Sequence, residues 1–161
     1  TTLFRSSAAS DVYKRQHDYI ADKRNKDILI YINGEFFHRS DAKVSVFDSG
    51  FLLGDGVWEG IRLHKNSLIH FDQHINRLYA GADAIAMKIQ LDKNELKDAV
   101  RLTLEKNAMH SDTHIRLIVS RGIKSTPYQH PKVTIGDPTI VIIPEYKKPN
   151  SKVFDLSLIH I

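Results

Sequence analysis

The amino-acid sequence predicts an α+β domain in which two β-hairpins come first, two helices follow, and further strands come last. Three observations support this order. Short β-rich runs separated by tight-turn signals occupy the first part, two segments of helical periodicity come next, and two strand-like runs follow them. A doubly wound parallel sheet would instead show strands and helices in regular alternation.

The first hairpin is predicted around Asn33-Gly34, with the β-rich run 28–32 before it and 35–38 after it. A second hairpin is predicted around Lys65-Asn66, between 57–64 and 67–71. The period of two in its first strand puts alternate residues on opposite faces. One face carries Trp58, Gly60 and Arg62, and the other carries Val57, Glu59, Ile61 and Leu63.

The segment 48–56 lies between the hairpins. Its glycines interrupt it too often for a long helix, and it is too apolar for a solvent-exposed loop. We therefore expect this segment to pack against the rest of the domain.

Two amphipathic helices are predicted after the second hairpin. The first runs from Asp72 to about Met87, and the second begins at Asp92, which forms a capping-box pattern with Glu95, and runs to about Lys106. Their apolar residues recur at helical spacing. These are Ile75, Leu78, Ala82 and Ile85 in the first helix, and Leu96, Ala99, Val100 and Leu104 in the second.

Two further strands are predicted near the end of the chain. The segment 114–121 alternates between apolar and polar residues, and 139–143 is continuously apolar, as expected of a buried strand. The long loop between them is rich in Gly, Pro and Lys, and loops of that length are often functional.

Composition limits the class of protein. The 161 residues are 42% hydrophobic and 26% charged, which suits one ordinary core. The net charge of +4 is concentrated in residues 1–26, which hold six Lys or Arg against three Asp or Glu, so we expect no nucleic-acid partner. The absence of cysteine excludes disulfides and thiolate metal sites. No run is long and apolar enough for a membrane span or a secretion signal, and we expect a cytoplasmic protein.

The two ends are set apart from the fold prediction. The segments 6–16 and 156–161 look like translated sequencing linker, although a natural leader and a clipped last strand are the alternative. We therefore predict a disordered or non-native leader over 1–26 and one domain over 27–149. Residues 150–161 are interpreted as the start of an interdomain linker with a non-native end.

Three features suggest binding chemistry. His74 and Arg77 share a helix face, and a planar guanidinium suits a phosphate, but a solvated or salt-bridged arginine is the plainer interpretation. His114 and Arg116 lie one strand step apart and could receive a carboxylate, although an edge strand facing water has the same pattern. Trp58 is either a pocket wall or a core aromatic. No nucleophile elbow and no metal-ligand spacing is present.

The run 31–78, YINGEFFHRSDAKVSVFDSGFLLGDGVWEGIRLHKNSLIHFDQHINRL, resembles the opening of class IV aminotransferases, the branched-chain and D-amino-acid type. HIRLIVSRG at 114–122 and GDPTIVIIPEYKKP at 136–149 continue the resemblance in the same order. It implies the small N-terminal domain of fold-type IV pyridoxal-phosphate (PLP) enzymes, with PLP as cofactor.

The resemblance assigns residues on the cofactor side and on one wall of the substrate pocket. Arg77 matches the arginine that holds the PLP phosphate, while His74 is expected to support its helix. Trp58 matches an aromatic pocket wall, Gly60 lies beside it, and Leu53 takes a position often filled by tyrosine, which makes the pocket more apolar.

Three further positions are assigned on the substrate side. Arg116 matches the arginine that meets the side-chain carboxylate of glutamate in branched-chain members, and His114 replaces a neighbouring tyrosine. Tyr128 falls near basic residues that bind the substrate carboxylate in D-amino-acid members, as a loose match. No catalytic residue is assigned, because the Schiff-base lysine of the family lies downstream of this sequence.

The resemblance implies transamination of an amino acid, first a branched-chain one, with a 2-oxo acid by a longer parent protein, homodimeric at full length. A PLP lyase of the aminodeoxychorismate type and a non-catalytic fragment are the alternatives. We expect Trp58, Gly60 and Arg116 to line one concavity. We also expect Arg77 to project toward open space rather than into a salt bridge.

Overall fold

A computed structural model describes residues 21–147 as a six-stranded antiparallel sheet, ordered β2-β1-β8-β5-β3-β4, and a two-stranded sheet, β6-β7. The strands are β1 (Leu29–Ile32), β2 (Glu35–His38), β3 (Gly56–His64), β4 (Ser67–Leu68), β5 (Thr113–Ser120), β6 (Ile123–Lys124), β7 (Thr134–Ile135) and β8 (Thr139–Tyr146). The α-helices are α1 (Ser49–Leu53), α2 (Phe71–Ala84) and α3 (Lys93–Lys106), and short 3₁₀ helices span Lys23–Asp27 and Pro131–Val133. The predicted α+β class is confirmed.

Both predicted hairpins are present. Asn33 and Gly34 have φ of 47° and 96°, and Lys65 and Asn66 have φ of 47° and 61°, so both central residues of each turn are left-handed. Such turns match the twist of antiparallel strands. Strand β4 is shorter than the predicted 67–71 because α2 already begins at Phe71.

The two predicted helices are confirmed, with one boundary corrected. The capping box of α3 is complete, since the Asp92 side chain accepts from the backbone of Asn94 and Glu95, and the Glu95 side chain accepts from the Asp92 backbone. Helix α2 ends at Ala84 rather than near Met87. Two residues after its end, Ala86 adopts a φ of 51°. A left-handed residue ends the helical hydrogen-bond pattern.

The core lies between one face of the main sheet and the two long helices. Helix α2 packs on β3, and α3 packs on β1 and β8. The side chains of Ile61, Ile75, Leu96, Val100, Ile115, Leu117, Val119 and Ile142 are fully buried there. None of the helices within 21–147 is long and apolar enough to cross a membrane.

The segment 48–56 packs only in part, which corrects the expectation that its apolar residues would be covered. The N-terminal end of α1 is held by polar contacts, because the hydroxyl of Ser120 donates to Asp48 at 2.8 Å and Asp48 caps the helix at Gly50. Phe51 and Leu53 face outward and are 70% and 39% exposed. Polar contacts of Asp48 therefore hold this short helix in place, while its apolar side chains Phe51 and Leu53 stay exposed.

The ordered fold extends into the segment expected to be a leader. Asn25, in the 3₁₀ helix Lys23–Asp27, is buried and exchanges two hydrogen bonds with the backbone of Tyr146, which ties the start of the fold to the end of β8. The rest of the expected leader, 1–20, and the expected linker, 150–161, lie outside the described residues.

Candidate functional site

Arg77 forms a two-pronged ion pair with Glu59. Its Nε and Nη2 atoms donate to the two carboxylate oxygens of Glu59, each at 2.6 Å. The expectation that Arg77 avoids a salt bridge is therefore wrong, because Glu59 on β3 lies opposite the middle of α2 and needs a cationic partner. The side chain nevertheless stays 70% exposed, so the outer part of the guanidinium faces open space.

Glu59 also binds His74, one helical turn before Arg77. The Nδ1 atom of His74 lies 2.8 Å from the Glu59 carboxylate, and His74 is mostly buried. The expectation that His74 supports its helix agrees with this contact, which ties α2 to β3. One strand carboxylate thus holds two side chains of α2.

The charges of this cluster are complementary. The guanidinium of Arg77 holds the pKa of Glu59 below its ordinary value, burial works in the opposite direction, and His74 adds to the lowering. The same contact raises the pKa of Arg77. Both groups are ionised near neutral pH.

Glu59 lies on the helix-facing side of β3, while its neighbours Trp58 and Gly60 point to the opposite face. Between Gly56 and Ile61, β3 pairs with β5 alone among the described strands, since β4 reaches only Leu63 and His64. This stretch is therefore an open sheet edge. A molecule at that edge can meet Arg77 from the helix side and Trp58 from the other.

Trp58 and Arg116 contact each other on the open face. The Arg116 guanidinium lies 4.0 Å from the centre of the Trp58 ring, which is a cation–π arrangement. Trp58 is 60% exposed, so it is not a core aromatic. The predicted alternation of His114 and Arg116 with apolar residues is confirmed, and the edge-strand alternative is wrong, because β5 lies between β3 and β8 in the sheet.

An open depression of about 370 Å³ lies beside Arg116. It is lined by Ile30, Arg39, His114, Arg116, Ile143, Glu145 and Lys147. Of the three residues expected to line one concavity, Arg116 borders this depression and Trp58 lies against Arg116 on the same open face, so a concavity shared with Gly60 stays a prediction. The depression extends from β5 across β8 to β1, whereas Trp58 and Gly60 belong to β3 on the other side of β5.

His114 connects the depression to Gly60. A Cβ atom on Gly60 would lie 3.0 Å from Nε2 of His114, so the glycine lets this imidazole lie close against β3. Burial lowers the pKa of His114, and the charges of Arg62, Lys147 and Arg116 lower it further. A neutral imidazole is thus favoured within a cationic surrounding.

Leu53 and Tyr128 lie apart from these groups. Leu53 ends α1, and Tyr128 is 63% exposed in the loop between β6 and β7. Neither residue borders the depression beside Arg116.

The sequence interpretation missed the roles of Glu59 and Arg121. Glu59 could have been noticed as the one charged residue in the row Val57, Ile61 and Leu63 on the face predicted to meet a helix. Arg121 pairs with Asp55 at 2.7 Å and donates to the carbonyls that end α2. It joins the start of β3 to the end of the helix that carries Arg77, a long-range contact that no local pattern announces.

The donor set fits a phosphate group. Glu59 occupies one edge of the Arg77 guanidinium, and the Nη1 atom has no hydrogen-bond partner among the residues the structure describes. An exposed guanidinium with free N–H groups is a typical phosphate ligand. Within residues 21–147, no group of three or more His, Asp or Glu side chains is arranged to hold a metal ion.

The fold of the described residues is shared with solved branched-chain aminotransferases. A branched-chain aminotransferase from the archaeon Thermoproteus uzoniensis, solved with norvaline, is similar over 74% of this chain and 40% of its own, with a TM-score of 0.63 and 25% identity. The branched-chain enzyme from Escherichia coli gives a TM-score of 0.64 at 25% identity, over 74% of this chain and 41% of its own. The described fold is that of the N-terminal domain of fold-type IV aminotransferases.

The family follows from the sequence comparison. The amino-transferase class IV family matches residues 56–157, and the chain belongs to this family. A putative branched-chain-amino-acid aminotransferase of Methanocaldococcus jannaschii is 45% identical over 114 residues, 71% of this chain and 38% of that protein. A D-alanine aminotransferase of Listeria monocytogenes is 33% identical over 101 residues, 63% of this chain and 34% of that protein. The chain thus spans well under half the length of these relatives.

Proposed function

We propose that this chain is the N-terminal part of a PLP-dependent aminotransferase that transfers the amino group of a branched-chain amino acid to a 2-oxo acid. The observation that carries the proposal is the exposed guanidinium of Arg77, held by Glu59 at the open edge of β3. Family membership and relatives named as aminotransferases support it. We further propose that the full-length protein is a cytoplasmic homodimer.

In this proposal Arg77 binds the cofactor phosphate through its free N–H groups. When bound, PLP supplies an electron sink that stabilises negative charge on the substrate α-carbon. Arg77 fixes the position of the phosphate, while the Schiff-base lysine is supplied by chain beyond this sequence. The proposed role of the residues in this chain is therefore to bind and orient the cofactor.

Trp58, Gly60, Leu53, His114, Arg116 and Tyr128 are proposed to contact the substrate. The ring of Trp58 offers an apolar wall to an aliphatic side chain, and the Arg116 guanidinium against that ring offers a partner for a carboxylate. This pairing suits an enzyme that must accept both an apolar amino acid and an acidic 2-oxo acid. The leucine and 2-oxoglutarate pair is the first to test.

The test is turnover by the full-length protein with PLP. We expect glutamate to form from leucine and 2-oxoglutarate. Release of pyruvate from aminodeoxychorismate without glutamate formation would favour the lyase alternative. The 161-residue chain by itself should give no borohydride-trappable imine at a single lysine, and a stoichiometric adduct with turnover would contradict its being one part of an enzyme.

The proposal that Arg77 binds the cofactor phosphate is tested by a substitution at that residue. In the full-length protein, Arg77→Ala should weaken PLP binding by about 10- to 100-fold, the range expected for losing hydrogen bonds to a charged group. Arg62→Ala is the matched control. Arg62 is an arginine of β3 itself, and it donates to the backbone carbonyl of Lys147 instead of pairing with Glu59. Unchanged affinity in Arg77→Ala would reject the residue and leave the family intact.

A further inference from the structure

Building on the proposed cofactor site, we propose that Glu59 is a positioning residue that fixes the Arg77 guanidinium in the orientation needed to receive the phosphate. Glu59 is 4% exposed and belongs to a strand, so its carboxylate has little freedom. It accepts from Nε and Nη2 of Arg77 at 2.6 Å each and from His74 at 2.8 Å. These contacts hold one edge of the guanidinium and leave Nη1 without a partner among the described residues.

The arrangement matters because an exposed arginine is otherwise mobile. A free Arg77 would have to give up several rotamers when it binds an anion, and that ordering would weaken binding. The two-pronged contact orders the side chain before the anion arrives. His74 braces the same carboxylate from the preceding turn of α2, so strand and helix fix the guanidinium together.

Charge alone predicts the opposite effect. Glu59 carries a negative charge beside a site that receives a phosphate, so an electrostatic sum makes its removal favourable to anion binding. Orientation and charge therefore give opposite signs for the same substitution. This opposition makes the inference testable with Glu59→Gln, which removes the charge and replaces one of the two accepting oxygens with an amide NH₂.

The experiment measures, in the full-length protein without bound cofactor, the dissociation constants of PLP and of pyridoxal, which lacks the phosphate. The dissociation constant of pyridoxal divided by that of PLP gives a ratio that isolates the phosphate contribution and falls when that contribution is lost. We expect Glu59→Gln to reduce this ratio about 10-fold, comparable to the low end of what losing an outer partner of a metal ligand costs metal affinity. Glu59→Asp keeps the charge but shortens the side chain, and it should also reduce the ratio.

Two further variants separate positioning from general damage. In an Arg77→Ala background, Glu59→Gln should leave the ratio unchanged, because Glu59 acts through Arg77. Asp98→Asn is the matched control, since Asp98 also pairs with an arginine, Arg101, at 2.9 Å, but on the exposed side of α3. It should leave both dissociation constants unchanged.

The outcomes distinguish the inference from the proposed function. A wild-type protein with no preference for PLP over pyridoxal overturns the cofactor site and the inference with it. A wild-type preference that Glu59→Gln leaves equal or increases overturns the inference alone. Parallel loss of both ligands in Glu59→Gln and Glu59→Asp shows a purely structural carboxylate and also overturns it.

Discussion

The two faces of the main sheet are built by the same strands but differ in what their side chains do. On the helix-covered face, Ile61, Ile115 and Leu117 are fully buried. On the open face, Trp58 is 60% exposed and stacks on Arg116. The covered face stabilises the fold, and the open face is free to present polar and aromatic groups.

Glu59 is the one charged residue on the covered face of β3. Its side chain points to the covered side, and its neighbours in sequence, Trp58 and Gly60, lie on the open face, in the part of β3 that forms an open sheet edge. One short strand segment therefore contributes to the proposed substrate wall and, through Arg77, to the proposed phosphate site. This charged group is accommodated on the covered face because a second element, α2, supplies its partners Arg77 and His74.

The largest expected effect comes from the covered face. Leu117→Ala should lower the free energy of unfolding by about 2–5 kcal/mol, because a fully buried leucine leaves a cavity. Ile118→Ala, the next residue on β5 but half-buried on the open face, should cost about 1 kcal/mol or less. Urea unfolding of the two variants measures both values. Equal losses would contradict the distinction between the faces.

The next effect concerns Glu59 and acid. Its pKa in the folded protein is below the ordinary 4.5, so the stability it contributes is present above pH 4.5 and is lost as the pH falls through the folded pKa. Glu59→Gln should cost about 1–2 kcal/mol at neutral pH, reduced from the full value of a charged hydrogen bond because Arg77 is exposed.

The pH dependence of thermal unfolding measures this contribution. The difference between wild type and Glu59→Gln should shrink as the pH falls below 4.5. Arg77→Ala should remove more of the acid dependence than His74→Ala, because Arg77 is the larger cause of the lowered pKa. An acid dependence identical in Glu59→Gln and wild type would rule out this contribution.

A smaller effect tests the open face. A double-mutant cycle of Trp58→Ala and Arg116→Ala should show a coupling of about 0.5–1 kcal/mol in the free energy of unfolding, the range for an exposed cation–π pair. Trp58→Phe keeps a ring and should retain part of the coupling. Strictly additive single substitutions would show that the contact stabilises nothing.

The smallest effect belongs to His114. Its pKa is lowered from 6.5 by burial and by nearby cations, so the neutral ring contributes stability above pH 6.5 that is lost as the pH falls toward the folded pKa. His114→Gln should flatten the dependence of the melting temperature between pH ~5 and ~8, where histidine titrates. A wild-type melting temperature that rises on acidification through this range would contradict the lowered pKa.

The sequence by itself determined the elements whose signals are local. Asn33-Gly34 and Lys65-Asn66 marked the hairpin turns, Asp92 and Glu95 marked the start of α3, and the period of two along β3 separated Trp58 and Gly60 from Glu59. These predictions succeeded because dihedral preference, capping and side-chain alternation depend on residues a few positions apart.

Only the tertiary structure decided how distant groups meet. Glu59 and Arg77 are 18 residues apart, and the end of α2 is held by Arg121, which is 35 and 36 residues beyond the two carbonyls it binds. The partner of a charged side chain is chosen by which elements pack together, because a buried carboxylate must find a cation wherever the fold brings one. Periodicity placed Glu59 on a face, and the packing of α2 on β3 gave that carboxylate Arg77 and His74 as its partners.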